Sequence, residues 1–246
     1  MAQLPATNPS PLSPNHIARN LAAVRQTIAS AARAANRDAN DIRLIAVSKT
    51  MSVSAVEAAV RAGQLEFGEN TIQDARTKIP QFEGHGLTWH FIGHLQTNKV
   101  KFVPGQFAWV HSIDRLDLAA KLSRHAQRAG KPINGLIQVN VTGESSKHGT
   151  APRDLFALVE QILEAELAGI VLRGLMTLGA YTANESELQD GFAQLRKLRD
   201  DCTERFGLKG FTELSMGMTN DYPIAIAEGA TLVRIGTAIF GERTNK

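Results

Sequence analysis

Apolar and polar positions follow two alternating patterns along the chain after residue 40. Short runs rich in Val, Ile, Leu and Phe are each followed by a longer segment with helical spacing. The runs predict eight strands, at 42–48, 65–68, 88–92, 107–111, 134–140, 170–177, 211–215 and 231–235. The segments between them predict helices at 53–62, 71–79, 97–103, 115–129, 152–166, 185–206 and 219–228.

Eight strands in alternation with helices are the number in a closed parallel (β/α)8 TIM barrel. The alternative is an open doubly wound sheet, which commonly carries a glycine-rich fingerprint after its first strand. Here the first strand leads into VSKTM at 47–51, which contains no glycine. The predicted fold class is therefore α/β, a single TIM barrel domain over 14–246.

The N-terminal segment predicts a tail and an extra helix. Several prolines make residues 1–13 a predicted disordered tail. Pro14 then begins a segment to residue 36 whose apolar residues recur at helical spacing, which predicts an amphipathic helix packed on the barrel. Residues 1–37 contain arginine but no acidic residue, a composition that transit peptides share, but the packed helix is the favoured interpretation.

Composition narrows the class of protein. Of 246 residues, 43% are hydrophobic and 21% charged, which is ordinary for a soluble globular domain. A net charge of +3 gives no support for a nucleic-acid partner, and no apolar run is long enough for a membrane span. Cys202 is the only cysteine, so neither an intrachain disulfide nor a multi-cysteine metal site is possible. We therefore expect a cytoplasmic protein with no nucleic-acid or membrane partner.

Polar residues stand at the carboxyl ends of the predicted strands, where barrels build their functional sites. Lys49 comes two positions after the last residue of the apolar run LIAV at 44–47, so its side chain starts at the rim of the core. Because burial disfavours the charged ammonium, a lysine there keeps more free amine, which condenses with an aldehyde. The alternative is a lysine that extends from the strand end into solvent.

Two loops of small residues follow the seventh and eighth strands, at 215–219 and at 236–237. Small residues let backbone N–H groups approach an anion, and barrels frequently bind phosphate after these two strands. Either loop could instead be a tight turn. Together with Lys49 they predict a site for a phosphorylated aldehyde held at both ends.

Arg234 lies two residues before Gly236 and could point into the top of the barrel. A guanidinium only donates hydrogen bonds, so beside a pyridine nitrogen it would keep that nitrogen unprotonated and the ring a weak electron sink. The alternative is a salt bridge to Glu213 on the neighbouring strand.

Eight motifs identify a family. They are LIAVSKT (44–50), FGEN (67–70), WHFIGHLQTNK (89–99), VHSIDR (110–115), IQVN (137–140), RGLM (173–176), LSMGMTND (214–221) and VRIGTAIFG (233–241). With them the chain closely resembles the YggS/PROSC family of pyridoxal 5′-phosphate (PLP) homeostasis proteins, from about residue 15 to Gly241. The resemblance implies a monomeric barrel like the N-terminal domain of alanine racemase, without racemase activity. It also implies PLP as cofactor, and PLP-dependent apoenzymes as candidate partners.

The resemblance assigns residues by position. Lys49 matches the lysine that forms the Schiff base with PLP, and Arg234 matches the arginine that faces the pyridine nitrogen. Asn70 matches a position beside the ring, and His90 one near it. The phosphate-binding positions match Ser215, Gly217, Gly236 and Thr237. Thr219 stands where the family often has serine, which keeps the hydroxyl.

Enzyme and carrier remain two hypotheses. A PLP racemase needs a second acid/base group on the other face of the bound substrate. Only five residues follow Gly241, so we expect no further domain to supply that group. This favours a PLP-binding regulator or carrier that exchanges PLP without turnover. The alternative is a single-domain amino-acid racemase with His90 or His111 as the second base.

Two further candidates are weaker. His90 and His94 could suggest a metal hydrolase, but the zinc-protease motif needs Glu directly after its first histidine, where this chain has Phe91. Lys147 lies in a polar loop after the fifth strand and could form a second anion site or a lid, although a solvated loop is the favoured interpretation.

Overall fold

Eight parallel strands close into a barrel in the order in which they occur along the chain. The structure is a computed structural model that describes residues 13–180 and 184–242. The strands are β1 Arg43–Val47, β2 Glu66–Glu69, β3 Thr88–Phe91, β4 Trp109–Ile113, β5 Ile133–Gln138, β6 Ile170–Met176, β7 Glu213–Ser215 and β8 Leu232–Ile235. Because β1 pairs with β8, the predicted (β/α)8 barrel is confirmed and the open sheet is excluded.

The helices surround the barrel. They are α1 Pro14–Ala34, α2 Val53–Arg61, α3 Ile72–Lys78, α4 Leu116–Arg128, α5 Leu155–Glu164, α6 Glu185–Phe206, α7 Tyr222–Ala227 and α8 Thr237–Phe240. Among the described residues, no helix combines the length and the apolar character needed to cross a bilayer.

Two helix predictions need correction. The segment predicted as a helix at 97–103 is a 3-10 helix at Thr97–Phe102. Pro104 has no N–H to continue helical hydrogen bonding, and segments this short are commonly 3-10. The helix predicted from 219 begins only at Tyr222, because the Met218 carbonyl accepts hydrogen bonds from the N–H groups of Asp221 and Tyr222 in a tight turn.

α1 is the predicted extra helix, and it packs against α2, α7 and α8. Its buried face consists of Ile17, Leu21, Val24, Ile28 and Ala32. The Asn20 side-chain amide donates to the Ile239 carbonyl over 3.0 Å, which joins α1 to α8. Arg37, just beyond α1, donates to the Ile226 carbonyl over 2.7 Å and reaches α7. Of the predicted tail, residues 1–12 lie outside the described part of the chain.

The inside of the barrel is only partly apolar. A separate apolar cluster is formed by Ile45, Trp109, Leu136, Met176 and Leu232. Four polar side chains are buried with it, namely His90, His111, Ser215 and Arg234. Barrel interiors are usually filled by branched aliphatic residues, so this polar content is unusual and needs internal hydrogen-bond partners.

Candidate functional site

Lys49 lies in a tight turn at the carboxyl end of β1. The Met51 N–H donates to the Ser48 carbonyl over 3.0 Å, which closes the turn around Lys49. Thr50, at the third position, has φ +64°, in the left-handed region where type II turns favour glycine. Ser52 then caps α2 by accepting a hydrogen bond from the Ala55 N–H. The turn leaves Lys49 half-buried at the mouth formed by the carboxyl ends of the strands.

A buried ion pair lies beneath this turn. Lys78, at the end of α3, donates to Glu69 Oε1 over 2.8 Å and to the Ser48 carbonyl over 2.6 Å. The Ser48 hydroxyl donates to the same carboxylate oxygen over 2.7 Å. Burial raises the pKa of Glu69, and the hydrogen bond from Lys78 opposes that rise. The ion pair between Glu69 and Lys78 was not predicted from the sequence, because the two side chains meet only once α3 has folded back.

Asn70 follows β2 at the same mouth, beside the strand that carries Lys49. Gly93, in the loop after β3, packs directly against its backbone. A Cβ at Gly93 would lie only 2.0 Å from the Asn70 carbonyl oxygen. Glycine is therefore required at 93 for the loop to approach this closely.

The structure brings the two small-residue loops together. Gly217, after β7, has φ +93°, and a Cβ there would come within 2.7 Å of the Ala225 side chain. Its carbonyl accepts the Arg234 N–H over 3.0 Å. The Thr219 hydroxyl accepts the Ala238 N–H over 3.4 Å, which joins the first loop to the start of α8. The loops after β7 and β8 thus form one continuous surface.

Gly236 and Thr237 directly follow β8 and form one end of this surface. The Gly236 carbonyl accepts hydrogen bonds from the N–H groups of Ile239 and Phe240 in the short helix α8. Thr237, the first residue of that helix, is exposed to solvent. Backbone N–H groups at such a position are suited to an anion.

Arg234 is a buried cation whose hydrogen bonds run to neutral groups, and the carboxylate whose charge acts on it is that of Asp221. One guanidinium nitrogen donates to the Ser215 hydroxyl over 2.6 Å, and another donates to the Thr177 carbonyl over 2.8 Å. Burial lowers the pKa of Arg234 to about 10, so the group stays charged at neutral pH. The alternative salt bridge is not observed, because Glu213 instead pairs with Arg43 at 3.1 Å. A buried charge without a direct carboxylate partner favours an electron-rich ligand.

Ser215 joins Arg234 to two histidines that the sequence analysis did not connect. His111 Nδ1 lies 2.9 Å from the Ser215 hydroxyl, and His111 Nε2 lies 3.0 Å from His90 Nδ1. His90 Nε2 in turn lies 3.0 Å from Glu66 Oε2. His90 stacks on the Trp109 ring with centroids 5.6 Å apart. It is therefore His111, and not His90, that contacts Ser215.

The weaker candidates have other roles in the structure. Lys147 donates to Glu144 Oε1 over 2.5 Å and to the Gly179 carbonyl over 2.8 Å, which joins two loops. His94 stacks on His148, with ring centroids 3.9 Å apart, and both side chains are exposed. Across 13–180 and 184–242, no group of three or more His, Cys, Asp or Glu side chains is arranged to hold a metal ion.

The residues at the mouth suit PLP chemically. Lys49 supplies an amine for the aldehyde, and the loops after β7 and β8 supply backbone donors for the phosphate. Arg234 supplies a buried cation whose bonds run to a hydroxyl and a carbonyl. The donor set therefore fits the group that the resemblance implies.

Comparison with known proteins gives the same family. The model for the alanine racemase N-terminal domain matches residues 17–244. A pyridoxal phosphate homeostasis protein of Pseudomonas aeruginosa is 46% identical over 227 residues, which cover 92% of this chain and 96% of the relative. The protein of the same description from Escherichia coli K12 is 44% identical over 236 residues, which cover 93% and 97%.

Solved structures agree on the fold. PipY of Synechococcus elongatus, in a structure with PLP bound, superposes with a TM-score of 0.81 at 36% identity over 92% of this chain and all of that one. An alanine racemase of Clostridium difficile superposes with a TM-score of 0.73 at 15% identity, over 94% of this chain and 58% of that one, which shows the shared fold. The chain therefore belongs to the alanine racemase N-terminal domain family and, within it, to the YggS/PROSC pyridoxal phosphate homeostasis proteins that its motifs indicated.

Proposed function

We propose that this protein binds PLP at the mouth of the barrel and acts in PLP homeostasis as a carrier or regulator without turnover of its own. The observation that carries the proposal is the position of Lys49 at the same mouth as the loops after β7 and β8, with the Arg234 cation buried beneath them. Relatives described as pyridoxal phosphate homeostasis proteins, and the PLP-bound PipY structure, support it. We also propose a cytoplasmic monomer that passes PLP to apoenzymes.

The residues at the mouth have distinct tasks in this proposal. Lys49 holds the aldehyde carbon, Asn70 lies beside the ring and Arg234 donates to the pyridine nitrogen. The phosphate is held by Gly217, Gly236 and Thr237. Ser215 stays a predicted phosphate contact, and its hydroxyl also anchors Arg234.

The chain's own residues favour exchange over catalysis. Bound PLP supplies a reactive aldehyde that combines reversibly with amines. Arg234 donates only, so it keeps the ring nitrogen unprotonated and limits the electron withdrawal that carbanion chemistry requires. His90 and His111, the candidate second bases, lie inside the barrel with both ring nitrogens in hydrogen bonds. Neither histidine is placed to exchange a proton at the mouth, which disfavours the racemase alternative.

Borohydride trapping tests PLP binding at Lys49. Purified protein incubated with PLP should show a near-visible absorption band. Reduction should leave a covalent pyridoxyl adduct on the peptide that contains residue 49. Lys49→Ala should lose both the band and the adduct, whereas Lys197→Ala, at an exposed position on α6, should keep them. An unchanged adduct in Lys49→Ala would move the attachment to another lysine.

A second measurement tests the absence of turnover. Holoprotein is incubated with amino acids in deuterium oxide, and exchange of the α-proton is followed by NMR. We expect no exchange above that of free PLP at the same concentration. Exchange at enzyme-like rates that disappears in His111→Gln would instead establish the racemase alternative.

A further inference from the structure

A continuous row of side chains crosses the inside of the barrel. It consists of Glu66, His90, His111, Ser215 and Arg234, and is called the interior chain below. The four links measure 3.0, 3.0, 2.9 and 2.6 Å. Glu66 is the first residue of β2, at the amino-terminal end of the barrel, whereas Ser215 is the last residue of β7, at the mouth. The interior chain therefore connects the two ends of the barrel.

The two ends of the interior chain fix the direction of its hydrogen bonds. Arg234 can only donate, so the Ser215 oxygen accepts from it. A Glu66 carboxylate can only accept, so His90 Nε2 must carry a proton. A neutral imidazole has one donor and one acceptor nitrogen, which makes His90 Nδ1 an acceptor. His111 then donates from Nε2 and accepts the Ser215 proton at Nδ1.

Burial keeps both histidines neutral. His90 and His111 are completely enclosed, and this burial lowers the pKa of each, that of His111 well below its usual range. The charged neighbours of His90 are Glu66, Arg43 and Glu213, and those of His111 are Arg43 and Arg234. Two neutral histidines therefore separate the Arg234 cation at the mouth from the Glu66 carboxylate at the other end, where Arg43 and Glu213 also lie.

Glu66 is the anionic end of the interior chain. Burial opposes its ionisation, but the hydrogen bond from His90 and the charge of Arg43 lower its pKa. Arg43 lies 3.8 Å from Glu66 and 3.1 Å from Glu213, and its guanidinium stacks over the Trp109 ring at 4.6 Å. Glu66 is 23% exposed and Glu213 is 21% exposed, so the two carboxylates have similar environments. Only Glu66 is bonded to a histidine of the interior chain.

We propose that the interior chain is a positioning device for Arg234, in which Glu66, at the opposite end of the barrel, sets the direction of the three hydrogen bonds between itself and Ser215, while Arg234 sets that of the fourth. With that direction fixed, Ser215 presents a lone pair to Arg234 and its proton to His111. The guanidinium is thereby held at one place inside the barrel, where it would meet the ring nitrogen of PLP. The role toward PLP rests on the proposed function, whereas the direction of the interior chain is a property of the ligand-free protein.

Nitrogen-15 NMR of the ligand-free protein tests the direction. Long-range proton–nitrogen spectra of histidine-labelled protein identify which ring nitrogen carries the proton. We expect the Nε2–H tautomer at both His90 and His111, with His111→Gln serving to assign the signals. An Nδ1–H tautomer or a doubly protonated ring at either histidine would overturn the proposal. This measurement needs no variant of Glu66, so it holds even if such a variant folds poorly.

Two matched variants test whether the Glu66 carboxylate sets the direction of the hydrogen bonds. In Glu66→Gln the side-chain amide can donate as well as accept, so we expect a measurable population of the Nδ1–H tautomer at His90. We also expect PLP affinity to fall about three- to tenfold, with a shift of the absorption band. Glu213→Gln removes a carboxylate of similar exposure from the same end of the barrel and should leave the tautomers and the band unchanged.

The outcomes separate this inference from the proposed function. Correct tautomers in a protein that binds no PLP would support the interior chain and overturn the function. PLP bound at Lys49 with the opposite tautomers would support the function and overturn this inference. Identical spectra and PLP affinities for Glu66→Gln and Glu213→Gln would also overturn it.

Discussion

Lys78 Nζ donates a 2.6 Å hydrogen bond to the carbonyl oxygen of Ser48, the residue directly before Lys49. The same ammonium group binds Glu69 Oε1 over 2.8 Å, and both side chains are almost completely buried. A buried ion pair therefore holds the backbone that carries the lysine at the mouth. The position of Lys49 depends on a second lysine that has no contact with PLP in the proposed function.

Lys78→Met should strongly destabilise the protein, because it leaves the Glu69 carboxylate buried without a cation. We expect a loss of about 3–5 kcal/mol in the free energy of unfolding, measured with urea at pH 7. The double variant Lys78→Met/Glu69→Gln should recover much of this loss, since no unpaired charge remains. Lys197→Met removes a lysine from an exposed ion pair with Asp201 and should cost less than about 1 kcal/mol. Equal losses at positions 78 and 197 would contradict the prediction.

Ser215→Ala should destabilise the protein, because the Arg234 guanidinium and His111 each lose a buried partner. We expect a loss of about 1–3 kcal/mol in urea unfolding. Ser112→Ala is a matched control, since Ser112 is equally buried and its hydroxyl has no hydrogen-bond partner among the described residues. The control should lie within about 0.5 kcal/mol of wild type. A control as costly as Ser215→Ala would show that burial alone, and not the interior chain, sets the loss.

Gly217→Ala should both destabilise the fold and weaken PLP binding. The residue has φ +93°, and a Cβ would come 2.7 Å from the Ala225 side chain and 3.0 Å from the Tyr222 Cα. Gly207 has φ +66° with nothing within 4 Å of such a Cβ, so Gly207→Ala isolates the backbone strain. We expect about 1 kcal/mol of destabilisation for Gly207→Ala and about 1–3 kcal/mol more for Gly217→Ala. Equal losses of stability in Gly217→Ala and Gly207→Ala, together with unchanged PLP titrations, would show that a Cβ at 217 does not crowd the phosphate loop.

Acid should destabilise the protein through the two interior histidines. The folded-state pKa of His90 and of His111 lies below the ordinary value of 6.5, so the unfolded chain binds more protons as the pH falls. Their contribution is therefore present above pH 6.5 and is lost on acidification below it. Each group can lower the free energy of unfolding by about 1.4 kcal/mol per pH unit.

Urea unfolding at pH 7, 6 and 5 measures this slope. His111→Gln removes one of the two titrating rings, so its stability should fall less steeply over that range than that of wild type. His16→Gln alters an exposed histidine near the start of α1 and should keep the wild-type slope. The same slope in all three proteins would show that the interior histidines do not control the acid response.

The sequence was sufficient to predict where the strands lie and that Lys49 and Asn70 stand at strand ends. All eight observed strands begin and end within two residues of the predicted runs. Strand ends could be located because apolar runs stop where the chain leaves the barrel, which is how Lys49 and Asn70 were found. The family motifs then supplied roles that spacing alone left open.

The interior chain could not be predicted, because it depends on the register between strands. His90 and His111 are visible in the sequence, but nothing in their spacing shows that they lie at adjacent heights inside the barrel. Register also explains why Glu213 does not reach Arg234. Ser215 pairs with Leu232, so Glu213 lies level with residue 230, four residues below the arginine.

The bond from Asn20 to Ile239 has a consequence for biosynthesis. It joins residues 219 positions apart, so α1 leaves the ribosome long before the segment that it packs against. At about 5–20 residues per second, the first helix waits on the order of ten to forty seconds for that partner. During this interval the part of its apolar face that packs against α7 and α8 is uncovered, and we expect a ribosome-associated chaperone to crosslink to nascent chains that end before β8 and to be released once α8 has emerged.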